Sequence, residues 1–426
     1  MEIETLKRNK LKKYGGIVLV FIAVIVTVVQ LTSRAKYKTT QSIELARGTI
    51  NYTVPDLNLV SMYIEDNGEY KGTDRVPQSG YKINYDKSYC AVNGNKDSSI
   101  TFDYNNEKLN VNNLTKKGTK CYLYFDKLSA KDTLAKFVGI NSILTRTDFS
   151  TILGTDTTGI IYSAEDDYGT SYYFAGNPTN NWVKFGEFYW RIIRINGDGT
   201  IRMIYQGTSA NTTDTGAQTT TSAFNSNYDN NMYVGYQYTS GSVHGNGTNS
   251  TIKGVLDSWY SSNLSSYASK IATGGGAAFC NDRQPSIDYS SLNGSGGTGT
   301  TQTYYAAYIR LITNKAPTFK CATTSDRFAT SVGLITADEV VYAGGVFEAN
   351  NLGYYLYTGQ YYWTMSPYYY NSGGAWVFNV GSDGAPGNYY GYVGWTTPGV
   401  RPVINLKADT IFSSGNGTSS NPYVVF

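Results

Sequence analysis

Hydrophobic and polar positions along this chain change their rhythm several times. An uncharged apolar run covers residues 14–31. From 50 to 127 the apolar positions come in short alternating stretches at 81–85, 100–104, 109–111 and 120–125, cut by Asn, Gly and Asp turns, which predicts a small all-β module. In the last stretch Cys121, Leu123 and Phe125 alternate with Tyr122, Tyr124 and Asp126, so one face is expected to be buried. Residues 129–138 predict a short helix, with Ser129 as cap and Asp132 three residues on. Strand-like stretches at 182–185 and 188–195 lead into Asn196-Gly197-Asp198-Gly199 and a partner strand at 201–205, a hairpin pattern. Ile252, Val255, Leu256, Trp259 and Tyr260 recur at helical spacing over 251–264. A further short helix is expected at 337–342, capped by Thr336 with Glu339 at the third position. Near the end, Trp376, Phe378 and Val380 alternate, and so do Val400, Pro402, Ile404 and Leu406, predicting two core strands.

Composition narrows the function classes. Charged residues make up only 16% and the net charge is +3, which gives no basic face for nucleic acid. A single histidine, His244, sits in a Gly/Ser/Asn loop, so a Ser-His-Asp triad or a multi-histidine zinc site has little to draw on. Neither a metal nor a cofactor is expected. The Asn-Gly-Asp-Gly turn lacks the ligand spacing of a calcium loop. Cys90, Cys121, Cys280 and Cys321 include no Cys-x-x-Cys; their segregation along the chain favours Cys90–Cys121 and Cys280–Cys321 disulfides in an oxidising compartment, with four reduced thiols as the alternative.

The run from Tyr14 to Leu31 would span ~27 Å as a helix, enough for a hydrocarbon core. It follows Lys7, Arg8, Lys10, Lys12 and Lys13, a cluster that holds an N-terminus in the cytoplasm. The expectation is a single-pass signal-anchor over 14–32, with a cleaved signal peptide as the alternative. The organisation expected is a basic cytoplasmic tail at 1–13, the anchor at 14–32, a stalk at 33–49, the β module at 50–127, a connecting segment at 128–171, and a large domain at 172–426. The cell membrane is then the partner of residues 14–32, and the later domains are extracellular.

Tyrosine is the compositional outlier, with 40 copies beside 45 glycines. It is densest in residues 361–406, where it mixes with Asn, Ser, Gly and Asp. That mixture is typical of binding loops, because tyrosine offers a large rigid contact area at low entropic cost. Two motifs in this region, Ser372-Gly373-Gly374-Ala375-Trp376 and Gly399-Val400-Arg401-Pro402-Val403, resemble the closing signature of C-type-lectin-like domains of the formylglycine-generating-enzyme type. Val400 stands where that family has an aromatic residue. The 188–205 hairpin, the 251–264 helix, the 333–345 run and Tyr362–Pro367 also resemble membrane-anchored bacterial surface proteins of this fold. The resemblance covers residues from about 172 to the end. It implies an α+β fold, with a C-type-lectin-like domain of much irregular loop preceded by the small all-β module and one N-terminal transmembrane helix.

The same fold carries the variable proteins of diversity-generating retroelements, whose binding residues lie between the Gly-Gly-small-Trp strand and the terminal strand. The resemblance therefore implies a ligand-binding surface of Asn379, Asp383, Asn388, Tyr389, Tyr390, Tyr392 and Trp395; Tyr368, Tyr369, Tyr370 and Asn371 lie just before that interval and are expected to join the patch through their aromatic and amide density. Gly373, Gly374, Trp376 and Arg401 take structural roles. The residue mixture is compatible with adenine-directed diversification. No cysteine follows Cys321, which removes the copper-binding pair of the formylglycine-generating enzymes, and Gln284-Pro285-Ser286 lacks the carboxylate of calcium-dependent sugar binders. The expectation is a non-enzymatic display protein for an extracellular protein or glycan ligand. A structural envelope or adhesion protein, and an enzyme on a formylglycine-generating-enzyme-like fold, remain the alternatives.

Overall fold

A computed structural model describes residues 58–426, apart from 67, 78–79, 106–107, 138, 287–295, 388, 390 and 426. The chain divides into two units, 1–56 and 57–426. The first unit lies outside the described residues, and so does the expected 14–32 anchor.

The unit from 57 onward is built on strands. Leu59–Asp66 pairs in parallel with Thr119–Lys127 and antiparallel with Glu69–Thr73, and Thr119–Lys127 also pairs with Tyr81–Ile83 and Tyr89–Val92. The 119–127 strand buries Cys121, Leu123 and Phe125 on one face, together with Ile83 and Ile100, in a hydrophobic cluster of its own. Disulfides join Cys90 to Cys121 in neighbouring strands and Cys280 to Cys321. Helix Ala130–Leu134 follows, closed by the reciprocal Ser129–Asp132 capping box.

The largest sheet has nine strands. Phe188–Ile195 is its axis and pairs with Trp182–Phe185, Gly169–Tyr173 and Ile201–Tyr205. The Ile201–Tyr205 strand then pairs with Val403–Leu406. Both of these strands are buried along their whole length, including the polar Arg202 and Asn405 that interrupt their apolar runs. Helix Thr251–Asn263, capped by Ser250, lays Ile252 and Leu256 on this core. A second sheet is organised by the hairpin of Tyr362–Asn371 and Gly374–Val380, with Thr303–Tyr304 on its flank.

Two expectations are corrected. The fold class is not α+β: among the described residues strands account for 35% and helices for 15%. The cause is composition, because tyrosine, threonine and β-branched residues fit a pleated surface and the many glycines and asparagines break helices. The second correction concerns the membrane. No helix among the described residues is long and apolar enough to cross one. Among the described residues the signal-anchor, the single-pass cell-membrane location and the membrane partnership through 14–32 find no supporting helix, and they are not carried further.

Buried charge ties the helix Ala337–Tyr342 to the large sheet. Glu339 closes the capping box with Thr336 through one carboxylate oxygen, Oε2. Its other oxygen, Oε1, meets Arg194 Nε at 3.0 Å and Arg202 Nε at 2.6 Å. Burial alone would raise the Glu339 pKa, but the Arg202 and Arg194 guanidiniums outweigh it and hold the carboxyl below its ordinary range. A depressed carboxylate contributes stability above its unfolded-state pKa, and that stability is lost as pH falls through the folded value. Glu339→Gln leaves two buried arginines short of an anion. It is expected to cost about 3–5 kcal/mol in urea unfolding at neutral pH, with a smaller penalty in acid. A loss below about 1 kcal/mol would show that the arginines find other acceptors.

Candidate functional site

The Tyr-rich hairpin sets the geometry. Its turn is Ser372-Gly373, with Asn371 opposite Gly374, Tyr370 opposite Ala375 and Tyr369 opposite Trp376. Gly374 has φ +123°, and a Cβ there would stand 2.8 Å from the Tyr392 ring. A side chain at this position is excluded by both backbone conformation and space. Register shifts between Trp363 and Tyr369 mark bulges in the longer strand. The segment 391–393 then runs along the outer side of the Gly374–Val380 strand: Val377 N–H donates to Gly391 O at 2.9 Å, Val393 N–H donates to Ala375 O at 3.1 Å, and Trp376 pairs with Tyr392.

This pairing aligns one aromatic residue from each of three neighbouring strands and one from the bridged 391–393 segment. Tyr304 lies opposite Tyr369, Tyr369 opposite Trp376, and Trp376 opposite Tyr392. The ring centroids are 5.7, 5.7 and 5.5 Å apart along the row. Tyr228 extends it beyond Tyr392 at 5.1 Å, and Tyr308 lies 4.6 Å from Tyr304 at the other end. The four rings of the row and Tyr308 are half-buried, and Tyr228 is 47% exposed. The result is an aromatic strip across the sheet, with every member fixed by strand pairing or by a neighbouring ring.

The electrostatics of the strip are neutral. Burial, with Tyr228 close by, pushes the Tyr392 phenol up to about 12. Burial also raises Tyr369, opposed by a hydrogen bond from Asn371. At neutral pH both hydroxyls therefore remain protonated and can donate or accept a hydrogen bond. The Trp376 indole N–H is enclosed and has no acceptor among the described residues. An unpaired buried donor costs about 1–3 kcal/mol, which a side chain chosen for stability alone would not carry.

The expected single patch is divided by this geometry. Tyr369, Asn371, Tyr392 and the 38%-exposed Trp395, whose N–H bonds to Tyr392 O, gather at the hairpin end. Tyr368 and Tyr370 do not join them: both are buried, Tyr368 against Phe378 and Phe347, and Tyr370 in the main core with its hydroxyl on Asp229 O. Asn379 is buried too, opposite Trp363. Asp383 folds into a turn, accepting the Ala385 N–H, and the exposed Tyr389 stacks on Tyr361 at the far end of the long strand. Asn388 and Tyr390 lie outside the described residues. The physical reasons for the division are two: strand alternation turns Tyr370 away from Tyr369, whereas Tyr368, at a bulge, lies beside Tyr369 with ring centroids 4.8 Å apart but sinks beneath it onto Phe378.

The residues assigned structural roles divide in the same way. Arg401 is buried and donates to Tyr205 O, Leu356 O and Gln206 Oε1, with its guanidinium over the Tyr362 ring. Gly374 is required by the turn, and Gly373 donates its N–H to Asn371 Oδ1. Trp376, by contrast, is half-exposed at the centre of the strip. Reading the residues one by one missed Tyr228, Tyr304 and Tyr308. The period of Tyr304-Tyr305-Ala306-Ala307-Tyr308 held a signal, since Tyr304 and Tyr308 flank the fully buried Tyr305.

The burial pattern separates strip from core by mutation. Tyr370→Ala and Tyr368→Ala are expected to cost about 3–5 kcal/mol in urea unfolding, as large cavities do. Tyr369→Ala and Tyr392→Ala should each cost less than about 1.5 kcal/mol. Equal losses in both pairs would make the strip part of the core.

No protein-family model, curated protein or solved structure matches this chain.

Proposed function

We propose that this is an exported, non-enzymatic ligand-binding protein whose binding surface is the aromatic strip Tyr228–Tyr392–Trp376–Tyr369–Tyr304. The observation that carries the reading is the in-register row of four half-exposed rings from three neighbouring strands and the bridged segment beside them. Rigid aromatics placed side by side make a low-entropy contact surface, and neutral phenols at its edge supply hydrogen bonds to a polar partner. Two disulfides fit an oxidising, extracytoplasmic setting. The likeness of residues 372–376 and 399–403 to C-type-lectin-like domains supports a display role.

The ligand suited to this strip is a chain that lies across the strands, an extended peptide or a glycan. Diversification of residues 361–406 by a retroelement belongs to the same reading. It would act usefully at Tyr369, Asn371, Tyr389, Tyr392 and Trp395, because Tyr368, Tyr370 and Asn379 are committed to packing. Such diversification predicts a near-copy of that coding region, differing at adenines, beside a reverse-transcriptase gene.

The direct test uses the full-length protein on a glycan array and a displayed peptide library. One class of ligand should be captured. Trp376→Ala or Tyr392→Ala should weaken capture by about 2 kcal/mol or more, the cost of truncating a central aromatic anchor. Capture that survives both substitutions, or no capture at all by the unmodified protein, would end this proposal.

A further inference from the structure

A second, chemically different site lies away from the strip. A cleft walled by the Cys280–Cys321 disulfide and Phe319 is lined by Asp166, Arg194, Arg202, Asp282, Arg310, Asp338 and Glu339. Most of its charges are paired inside the protein. Arg194 binds Asp166 and Glu339, and Arg310 binds Asp338 through two nitrogens and Asp282 Oδ2 at 2.6 Å.

Two groups are left over. Arg202 is 1% exposed, stacked on Phe279 at 4.1 Å and held at Nε by Glu339, yet its Nη1 has no acceptor among the described residues. Asp282 is 5% exposed, and its Oδ1 has no donor among the described residues. Both residues line the same cleft. Adjacent carboxylates on one helix anchor both, Arg202 through Glu339 and Asp282 through Arg310 and Asp338.

An unmatched donor and an unmatched acceptor of opposite charge select the ligand class. An anion such as phosphate would satisfy Arg202 and meet repulsion at Asp282. A metal ion would satisfy Asp282 and meet Arg310, and no metal-holding group of His, Cys, Asp and Glu occurs among the described residues. A small zwitterion satisfies both. We propose that this cleft binds a free α-amino acid, its carboxylate on Arg202 Nη1 and its ammonium on Asp282 Oδ1. Phe319 and the Tyr168 ring, over which Arg327 is stacked at 4.7 Å, offer the side chain an apolar wall. Asp167, with 27% of its side chain exposed, and Arg327 stand 3.8 Å apart beside them and extend the same two charges to the mouth.

Protonation supplies an internal check. Burial pushes Asp282 up to about 6 against the pull of Arg310, with Asp338 and Asp326 adding to the rise. Asp326 in turn faces His244 at 3.1 Å. Ammonium binding needs the carboxylate form, so affinity should fall as the pH drops below about 6.

The experiment is isothermal titration of the full-length protein at neutral pH with each common L-amino acid, followed by the N-acetyl and the carboxamide derivative of any that binds. Saturable binding of at least one amino acid is expected, weakened about tenfold or more by blocking either end. Asp282→Asn keeps the shape of the side chain and should weaken binding by a similar factor while Arg310 stays on Asp338. Should Asp282→Asn lower the melting temperature, Asp167→Asn at the mouth replaces it, with a smaller loss expected. The inference is overturned if no amino acid binds, if a blocked derivative binds as well as its parent, or if the folded Asp variant binds as tightly as the unmodified protein.

Discussion

The exposed face of this protein depends on one strand register. Pairing Tyr369 with Trp376 across the 362–380 hairpin decides which tyrosines face solvent and which enter the core. Shifting that pairing by one residue would exchange Tyr369 with Tyr368 or Tyr370, placing a core tyrosine in water and a surface one among packed side chains. The register is held at the turn, where only glycine fits position 374. It is held again by the Trp376–Tyr392 bridge and by the Tyr304–Tyr369 pairing on the opposite flank. The backbones of Tyr304, Tyr369, Trp376 and Tyr392 are thereby fixed by pairing with their neighbours, so little backbone freedom is left to lose when something binds.

A second constraint works through charge. Glu339 spends one oxygen on the helix start and the other on two arginines from adjacent strands of the large sheet. Replacing such a cluster with apolar residues of the same volume is often neutral for stability, so stability alone is a weak reason for its presence. What the cluster does provide is a fixed polar wall: it orients Arg202 and, through the neighbouring Asp338, Arg310. Arg194 and Arg202 also lie over Phe319 and Phe279, so their guanidiniums are stacked as well as paired.

Much of the local structure was legible in the sequence. The caps at Ser129 and Thr336, the 251–263 helix and the 188–205 hairpin follow from periodicity and turn chemistry, which act over a few residues. The alternation of Cys121, Leu123 and Phe125 likewise gave the buried face of its strand. The site was only half legible. Composition located the Tyr-rich segment, but a continuous Tyr368-Tyr369-Tyr370 run does not say which residue faces outward, and the bulges before Tyr369 make the answer non-local. Tyr228, from a loop, and Tyr304, from a two-residue strand, are far away in sequence and reach the strip only through tertiary pairing. The charged cleft is less legible still: Arg202, Asp282, Arg310 and Glu339 are scattered between positions 202 and 339, and nothing in their spacing brings them together.

Strip and cleft share one segment of chain, which raises the question of whether they communicate. Tyr304 stands in the strip, and Arg310, six residues on, stands in the cleft. A ligand that took Asp282 Oδ1 would draw only one of the carboxylates bound to Arg310. The other, Asp338, keeps two hydrogen bonds of 2.7 Å to the same guanidinium and also accepts the Thr318 N–H. Between the two sites, Tyr305 is fully buried and its hydroxyl is fixed on Asn231, whose amide in turn holds the carbonyls of 298, 299 and 301. Coupling requires an element with two arrangements that both ligands bias, and this segment is pinned at each step by contacts that neither ligand touches. The fold therefore presents two independent surfaces, one neutral and aromatic and the other charged and enclosed.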